Sequence, residues 1–245
     1  MKEVAYKKMD EYANRYFWYV GREKIILSLV DTIIDDSVDR IIDYGCGTGE
    51  LINKLNNIYK NVEVFGADIS EKALFYCRDN GINNVLNLNI EKPKKNYYDV
   101  VLCLDVIEHI ENDTDFLNKV YDLLRIGGKL VLTVPAYNFL WSGEDYISNH
   151  IRRYTRGEIK NKIIQAGYKI VKISYFNIFL FIPLVCVLLF KRIFYPKTMY
   201  ESDLQDINKL TNQILTYIFS SERWLLKLIS FPFGASIIAI VKKEK

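Results

Sequence analysis

The stretch Ile41-Ile42-Asp43-Tyr44-Gly45-Cys46-Gly47-Thr48-Gly49-Glu50 decides the fold. Two β-branched residues and an acid run into three glycines at alternate positions, and a helix-forming segment, Glu50-Leu51-Ile52-Asn53-Lys54-Leu55, follows at once. This is the pattern of a buried strand, a tight turn and a helix start. Glycines let the backbone approach a ligand with no Cβ in the way, and a helix N-terminus presents unpaired N–H groups to it. Asp43 sets a negative charge just before the turn, where a phosphate binder would avoid one. The turn is therefore expected to hold a nucleotide-like ligand that carries positive charge.

Outward from this stretch, short apolar runs alternate with helical patterns, which argues a parallel sheet with crossover helices. Strands are expected at 40–43, 63–68, 85–88, 99–104, 129–134, 169–174 and 236–241. Helices are expected at 50–58, 71–80, 114–124 and 156–166, with an amphipathic helix at 23–34 before the first strand. Gly127-Gly128 and Gly167 are read as helix stops. The fold class is α/β, a doubly wound and mostly parallel seven-stranded sheet with N-terminal helices and a helical insertion between the last two strands.

At 245 residues, half of them apolar and 26% charged, the chain can bury a full core. A net charge of +3 is too small to argue for a nucleic-acid partner. The four cysteines, Cys46, Cys77, Cys103 and Cys186, lack metal-ligand spacing, so no metal is expected and a reduced, cytoplasmic chain fits best. The start, Met1-Lys2-Glu3-Val4, has no apolar run behind its charges, which argues against a signal peptide.

The order of motifs resembles that of the class I S-adenosylmethionine-dependent methyltransferases over about residues 38–174 and the last strand. Asp43, Gly45, Gly47 and Gly49 match the family's acid and glycine-rich turn. Asp68, in Val64-Phe65-Gly66-Ala67-Asp68-Ile69-Ser70, matches the acid that binds the ribose hydroxyls in the family. Tyr98-Asp99-Val100-Val101-Leu102-Cys103-Leu104-Asp105-Val106-Ile107-Glu108-His109-Ile110 matches its fourth strand, and Leu123-Leu124-Arg125-Ile126-Gly127-Gly128-Lys129-Leu130 its Leu-Lys-Pro-Gly-Gly turn. The sequence departs twice. Asn89 stands where an Asp often lies near the adenine amine, and its amide oxygen still accepts that bond; Ile126 replaces the common Pro. An NAD-type loop has two residues between its second and third glycines and no acid at the position of Asp43. The resemblance implies S-adenosylmethionine as cofactor, with Arg22, Asp43, Gly45, Cys46, Gly47, Gly49, Asp68, Ile69, Asn89, Ile90, Asp105 and Val106 around it. The implied reaction is in-line transfer of a methyl group to an acceptor nucleophile.

His109 and His150 are the only histidines. His109 follows the fourth strand, at the edge where open α/β sheets bind ligands. It reads either as a backbone-bonded residue near a helix start or as a wall or base of the methyl-transfer pocket. His150 lies in a long loop, 135–155, that leaves the same edge and is expected to overhang the cofactor; for a hydroxyl acceptor, His109 or His150 is the expected catalytic base. Tyr137, Trp141, Asp145, Arg153 and Tyr154 are substrate-site candidates in that loop. The competing reading is a loop stapled by an Asp145–Arg pair. Arg15, Trp18 and Arg22 share one helical face; in related enzymes such helices lid the cofactor, and the alternative is packing of Trp18 on the sheet.

The insertion begins with thirteen uncharged residues from Ile178 to Phe190, closed by Lys191-Arg192. That is too short for the roughly 20 apolar residues of a bilayer span. With Lys197 it suits dipping into an anionic leaflet; the alternative is a cap on the domain or a dimer surface, which Glu222-Arg223 favours. The expected organisation is 1–36 an N-terminal helical lid, 37–174 the cofactor-binding core, 175–235 the insertion and 236–245 the final strand. The expected acceptor is small or amphiphilic (a lipid, a quinone or a polyprenyl-linked molecule), met at the cytoplasmic face of a membrane through 178–230, with a homodimer as a further expectation. The alternatives are a soluble small-molecule methyltransferase and a non-catalytic cofactor-binding protein.

Overall fold

A computed structural model describes residues 11–196, 200–204 and 206–245. Residues 1–10, with the Met1–Val4 start, and the flanking Lys197 lie outside the described residues. The strands are β1 Arg40–Tyr44, β2 Glu63–Asp68, β3 Val85–Asn87, β4 Tyr98–Leu104, β5 Leu124–Pro135, β6 Tyr168–Phe176 and β7 Ser236–Lys243. The helices are α1 Phe17–Val30, α2 Glu50–Ile58, α3 Glu71–Asp79, α4 Asp113–Leu123, α5 Gly143–Ser148, α6 Arg156–Gln165, α7 Phe181–Phe194 and α8 Lys209–Leu228.

One sheet runs β3-β2-β1-β4-β5-β7-β6. The pairs β1–β2, β1–β4, β2–β3 and β4–β5 are parallel. The expected doubly wound, mostly parallel sheet is therefore present, with α7 and α8 between β6 and β7. Strands flanked on both sides read as unbroken apolar runs. Ile41 and Ile42 of β1, Val100–Cys103 of β4 and Ile237–Val241 of β7 are all buried. Lys243 ends β7 in the core, where its ammonium donates to Asn96 Oδ1 (2.8 Å) and to the carbonyls of Tyr121 (3.0 Å) and Leu124 (2.9 Å).

The Gly127-Gly128 expectation fails. Helix α4 ends at Leu123, and Leu124 is already extended as the first residue of β5. Tyr98 pairs with Leu124 but Val100 with Lys129, so the glycines bulge out of a continuous strand. At Gly128 a Cβ would lie 2.9 Å from the Arg125 carbonyl oxygen and 3.1 Å from that of Asp99, which is why the position takes no side chain. Gly167, at φ +85°, does follow the end of α6 as expected.

The chain divides into two compact units. The sheet unit holds Ile33–Val134, Gly157–Ile173 and Ile238–Lys245. The second unit holds the described residues up to Thr32, together with Pro135–Arg156 and Ser174–Ile237. In the second unit α1 packs on α8. Trp18 stacks on Phe219 (5.3 Å between centroids), not on the sheet, and Phe176 stacks on the same ring. Helix α1 starts six residues before the amphipathic helix expected at 23–34 and ends four residues short of it; Asn212 accepts the Phe17 N–H (2.8 Å) at its start and donates to the Arg15 carbonyl (2.5 Å). Glu222, fully buried, accepts the Phe179 N–H at 2.9 Å and so ties α8 to the turn that enters α7. Burial pushes its carboxyl up to about 7 against the pull of the Phe179, Asn177 and Ile178 N–H groups.

Gly21 sets how closely α1 and α8 approach, since a Cβ there would stand 2.6 Å from Phe219 Cδ1. Gly21→Val is expected to destabilise the protein by about 1–3 kcal/mol. Gly157→Ala, in α6 with open space around the new methyl, is expected to be neutral or slightly stabilising. Denaturant melts of the two variants check both outcomes.

Candidate functional site

In the sheet unit the glycine-rich turn is built as its residue types demand. Gly45, Gly47 and Gly49 have φ of +88°, +54° and +83°. A Cβ on Gly45 would meet Val106 Cγ2 at 2.5 Å, and one on Gly49 would meet Ile82 and the Cys77 sulfur. Gly49 is the N-cap of α2 in the left-handed conformation, so the turn delivers the chain into the helix without a strained side chain. The Gly45 and Cys46 N–H groups bond the Ala67 carbonyl (2.7 and 3.1 Å), which fastens the turn to the end of β2. Asp43 is buried in β1 beneath it.

Asp68 is the centre of this arrangement. One carboxylate oxygen accepts the Gly47 N–H (3.0 Å) and the other the Ser70 N–H (2.8 Å). Burial raises its pKa, while the Ser70, Gly47 and Ile69 N–H groups work in the opposite direction. A carboxylate has about four acceptor positions, so two bonds to backbone leave capacity for a pair of hydroxyls. The next turn stands beside it: Asn89 donates to the Ile69 carbonyl (2.7 Å), and its own N–H bonds Asn87 Oδ1 (3.0 Å). Ile69 and Ile90 are large exposed apolar side chains at this turn.

Asp105 directly follows β4 with φ +56°, held from both sides by Thr133: its N–H bonds the Thr133 carbonyl (3.1 Å) and its carboxylate accepts the Thr133 hydroxyl (2.8 Å). Val106 follows against Gly45, and His109 closes the short 3₁₀ turn Ile107–His109 with its N–H on the Val106 carbonyl (3.1 Å). The sheet unit thus collects Asp43, Gly45, Cys46, Gly47, Gly49, Asp68, Ile69, Asn89, Ile90, Asp105, Val106 and His109. Arg22 belongs to the other unit, half-buried on α1. Cys46 is a buried thiol beside Cys77; their hydrogen bond and burial push it well up, so it packs under the turn as a neutral group.

The donors present fit a nucleoside with a cationic centre. A carboxylate is placed for vicinal hydroxyls, an amide and two apolar side chains for a base, and residues 41–49 contain neither Lys nor Arg to meet a phosphate.

The second unit carries the other candidates. Asp145 is completely buried in α5. It accepts two bonds from Arg153 (Nε 2.8 Å, Nη2 2.7 Å), one from the Ser142 N–H (2.7 Å), and lies 2.7 Å from His150 Nδ1. Burial opposes its ionisation, but His150, Arg153 and the Ser142 N–H outweigh it and hold the carboxyl at about 2. Arg153 also reaches the Ala136 carbonyl (3.0 Å), so the Asp145–Arg staple exists, and it carries the histidine with it. An ionised carboxylate only accepts, so the proton sits on Nδ1 and the basic nitrogen is Nε2.

Tyr137, at φ +54°, stacks on Tyr175 (5.1 Å) and Phe139 (5.2 Å), and burial followed by Tyr175 raises its pKa. Trp141 accepts Arg192 at its carbonyl (2.9 Å). Tyr154 is buried and bridges Pro135 and Tyr137 through its backbone, a structural placement. Sequence reading passed over Thr133, whose hydroxyl sets Asp105, and Glu144, whose carboxylate gathers Ser202 (2.5 Å) and the Asp203 N–H (2.8 Å). Neither lies in a motif; the one sequence signal for Glu144 is that it adjoins Asp145 in the same loop.

A family model described as a methyltransferase domain matches residues 15–173. The chain belongs to the class I S-adenosylmethionine-dependent methyltransferases. S-adenosylmethionine is accordingly the cofactor of this methyltransferase domain. Among curated relatives, the chain is 36% identical over 115 residues to the ubiquinone biosynthesis O-methyltransferase of Rickettsia canadensis, covering 45% of this chain and 49% of that protein. It is 25% identical over 197 residues to the enzyme of the same name from Azoarcus sp., covering 69% and 83%. The chain spans about half the length of the Rickettsia canadensis relative. Among solved structures, a SAM-dependent methyltransferase from Archaeoglobus fulgidus aligns with a TM-score of 0.58 at 18% identity over 91% of this chain and 94% of that one. One from Mesorhizobium loti aligns at 0.56 and 14% identity, over 89% and 97%. At such identities these structures bear on the fold of the methyltransferase alone.

Two outcomes are expected. Asp68→Ala removes calorimetrically detectable S-adenosylmethionine binding, whereas Asp68→Asn, which keeps an acceptor, weakens it by about tenfold or more, in line with the loss of a charge-assisted bond. In acid titration, Asp145 has a folded pKa below its unfolded value. Its stabilisation is therefore full above about pH 4 and is lost as pH falls toward 2, a contribution of about 2 kcal/mol. Chemical denaturation between pH 5 and 2 should show Asp145→Asn starting less stable and varying less with pH than the parent protein.

Proposed function

We propose that the protein transfers a methyl group to a hydroxyl of an amphiphilic, quinone-type acceptor, and that His150 takes the hydroxyl proton. The observation that carries this reading is the Asp145–His150 pair: a completely buried, ionised carboxylate 2.7 Å from Nδ1 of a largely buried imidazole. A carboxylate or amine acceptor has little need of such a base, whereas a hydroxyl does. The relatives' name, ubiquinone biosynthesis O-methyltransferase, supports both the oxygen and the quinone-type acceptor.

S-adenosylmethionine supplies the methyl group, activated as a sulfonium. Everything else is the work of the chain's own residues. Asp68 takes the ribose hydroxyls on the acceptor positions left by Gly47 and Ser70. Asn89 faces the base edge, and Ile69 and Ile90 cover its flat sides. Asp43 offsets positive charge at the turn without adding a phosphate partner. Asp145, locked by Arg153, keeps the His150 ring in one orientation and one tautomer, and stabilises the imidazolium when Nε2 takes the proton. The chain enters this segment directly from the carboxyl end of β5, at Pro135. Tyr137, with its rigid stack on Tyr175, and Trp141 are the apolar side chains proposed to receive the acceptor ring. His109 is proposed as a wall of the methyl-transfer pocket.

The amphiphilic acceptor is proposed to be met at a membrane surface through the insertion. Among the described residues no helix is long and apolar enough to cross a membrane. Yet α7 leaves Ile182, Val187, Leu189, Phe190, Ile193 and Phe194 exposed and buries only Leu188. That is an interfacial pattern: apolar, too short to span, and closed by Lys191-Arg192.

With a phenolic amphiphile as acceptor, His150→Ala is expected to lower kcat by about 10²–10⁴-fold and leave S-adenosylmethionine affinity unchanged. Asp145→Asn should also lower kcat, since it removes the carboxylate that fixes the orientation and tautomer of the His150 ring. An unchanged kcat in His150→Ala would remove His150 from the reaction.

A further inference from the structure

Helix α8 presents two features that the methyl-transfer reading does not use. The first is an exposed apolar stripe. Leu210, Ile214, Tyr217, Trp224 and Leu228 recur at three, four and seven residues, with only Ser221 between, so they lie along one face. Tyr217, Trp224 and Leu228 are 77%, 61% and 82% exposed. The opposite face is spent on the unit's own core through Phe219, Glu222 and Leu226. The second feature is a groove of about 360 Å³ between α1 and α8. Three cations line it, Arg15, Lys24 and Arg223, along with the neutral hydrogen-bonding groups of Gln213 and Thr216, and no carboxylate does.

Arg15 shares its charge with exposed Glu11 (2.5 Å) and more distantly with Asp206 (3.8 Å). Lys24 and Arg223 make no ion pair with a carboxylate among the described residues; the Arg223 guanidinium lies over the Trp224 ring at 4.7 Å. Close like charges around one groove repel, and an anion relieves that repulsion. The two features are continuous, because Tyr217 belongs to both the stripe and the groove lining and Arg223 adjoins Trp224. A soluble phosphate would satisfy the cations and leave the stripe in water. A leaflet of anionic phospholipid satisfies both, with the stripe in the acyl boundary, Trp and Tyr at headgroup depth, and a phosphate in the groove.

We propose that the groove between α1 and α8 seats the phosphate headgroup of an anionic phospholipid, with the Leu210–Leu228 stripe lying in the leaflet. The proposal rests on the membrane reading made above for α7 and adds to it a second contact and a lipid preference. It also gives Arg15, in the turn before α1, a role that does not involve covering the cofactor.

The test is flotation of the purified chain with two kinds of vesicle, pure phosphatidylcholine and phosphatidylcholine containing phosphatidylglycerol. The parent protein should bind both and prefer the anionic vesicles. Arg15→Gln/Lys24→Gln/Arg223→Gln should weaken binding to the anionic vesicles by about a hundredfold, at roughly fivefold per lost cation, and leave binding to phosphatidylcholine unchanged. These side chains line a surface groove, and an unaltered melting temperature would establish that the variant folds. Ile193→Ser/Phe194→Ser, on α7, should weaken binding to both vesicles and preserve the anionic preference. If the triple variant keeps the full preference, the groove is not the headgroup seat, although the membrane reading stands. If the parent protein floats with neither vesicle, the membrane reading fails and takes the proposal with it. Release of vesicle-bound protein by millimolar inorganic phosphate, or a Trp224→Ser variant that converts a dimer to a monomer, would overturn the proposal in favour of a free anion or a second copy of the chain.

Discussion

The glycine-rich turn of the sheet unit depends on one carboxylate. Asp68 ties the glycine-rich turn after β1 to the turn after β2 by accepting an N–H from each, Gly47 and Ser70. Three glycines in the left-handed region make a flexible loop, and such a loop offers a ligand little until something holds it. Asp68 supplies that hold, and because it is buried each of its bonds counts for more than it would in water. The acid proposed to meet the ribose hydroxyls also shapes the loop around it.

The segment after β5 uses the same device with different partners. Asp145 gathers Arg153, His150 and the Ser142 N–H around a fully buried carboxylate. A guanidinium clamped from two sides and a backbone donor overcome the cost of burial, so the group stays ionised where a lone carboxylate would take a proton. In both places a buried acid fastens an irregular stretch of chain: Asp68 through two backbone N–H groups, Asp145 through Arg153, His150 and the Ser142 N–H.

Much of this was readable in the order of residues. The strand–turn–helix at Ile41–Glu50 and the spacing to Asp68 are local patterns whose outcome is set by sterics and periodicity, and the helices at 50–58 and 71–79 fall where their patterns place them. What escaped the reading depends on partners far along the chain. Helix α1 begins at Phe17 because Asn212, 195 residues away, caps it. Gly127-Gly128 looks like a helix stop and is a bulge, because β5 resumes its pairing with β4 on the far side. Trp18 meets Phe219 and not the sheet. At the candidate site Asp145 and Arg153 could be named from their residue types, but not Thr133, which sets Asp105 through a hydroxyl in the middle of an apolar strand.

The place of β7 has a consequence for how the chain is made. Of the seven strands of this sheet it comes last in chain order, and it lies between β5 and β6. Until residues 236–243 emerge, those two strands have no common neighbour, and the nascent sheet carries open edges with unpaired amides on strands rich in isoleucine, leucine and valine. Such edges recruit other chains. The buried run Ser236–Val241 therefore acts as the closing stave of the sheet, and a ribosome stalled before it would release a species prone to aggregate even though the glycine-rich turn, nearly two hundred residues upstream, was already complete.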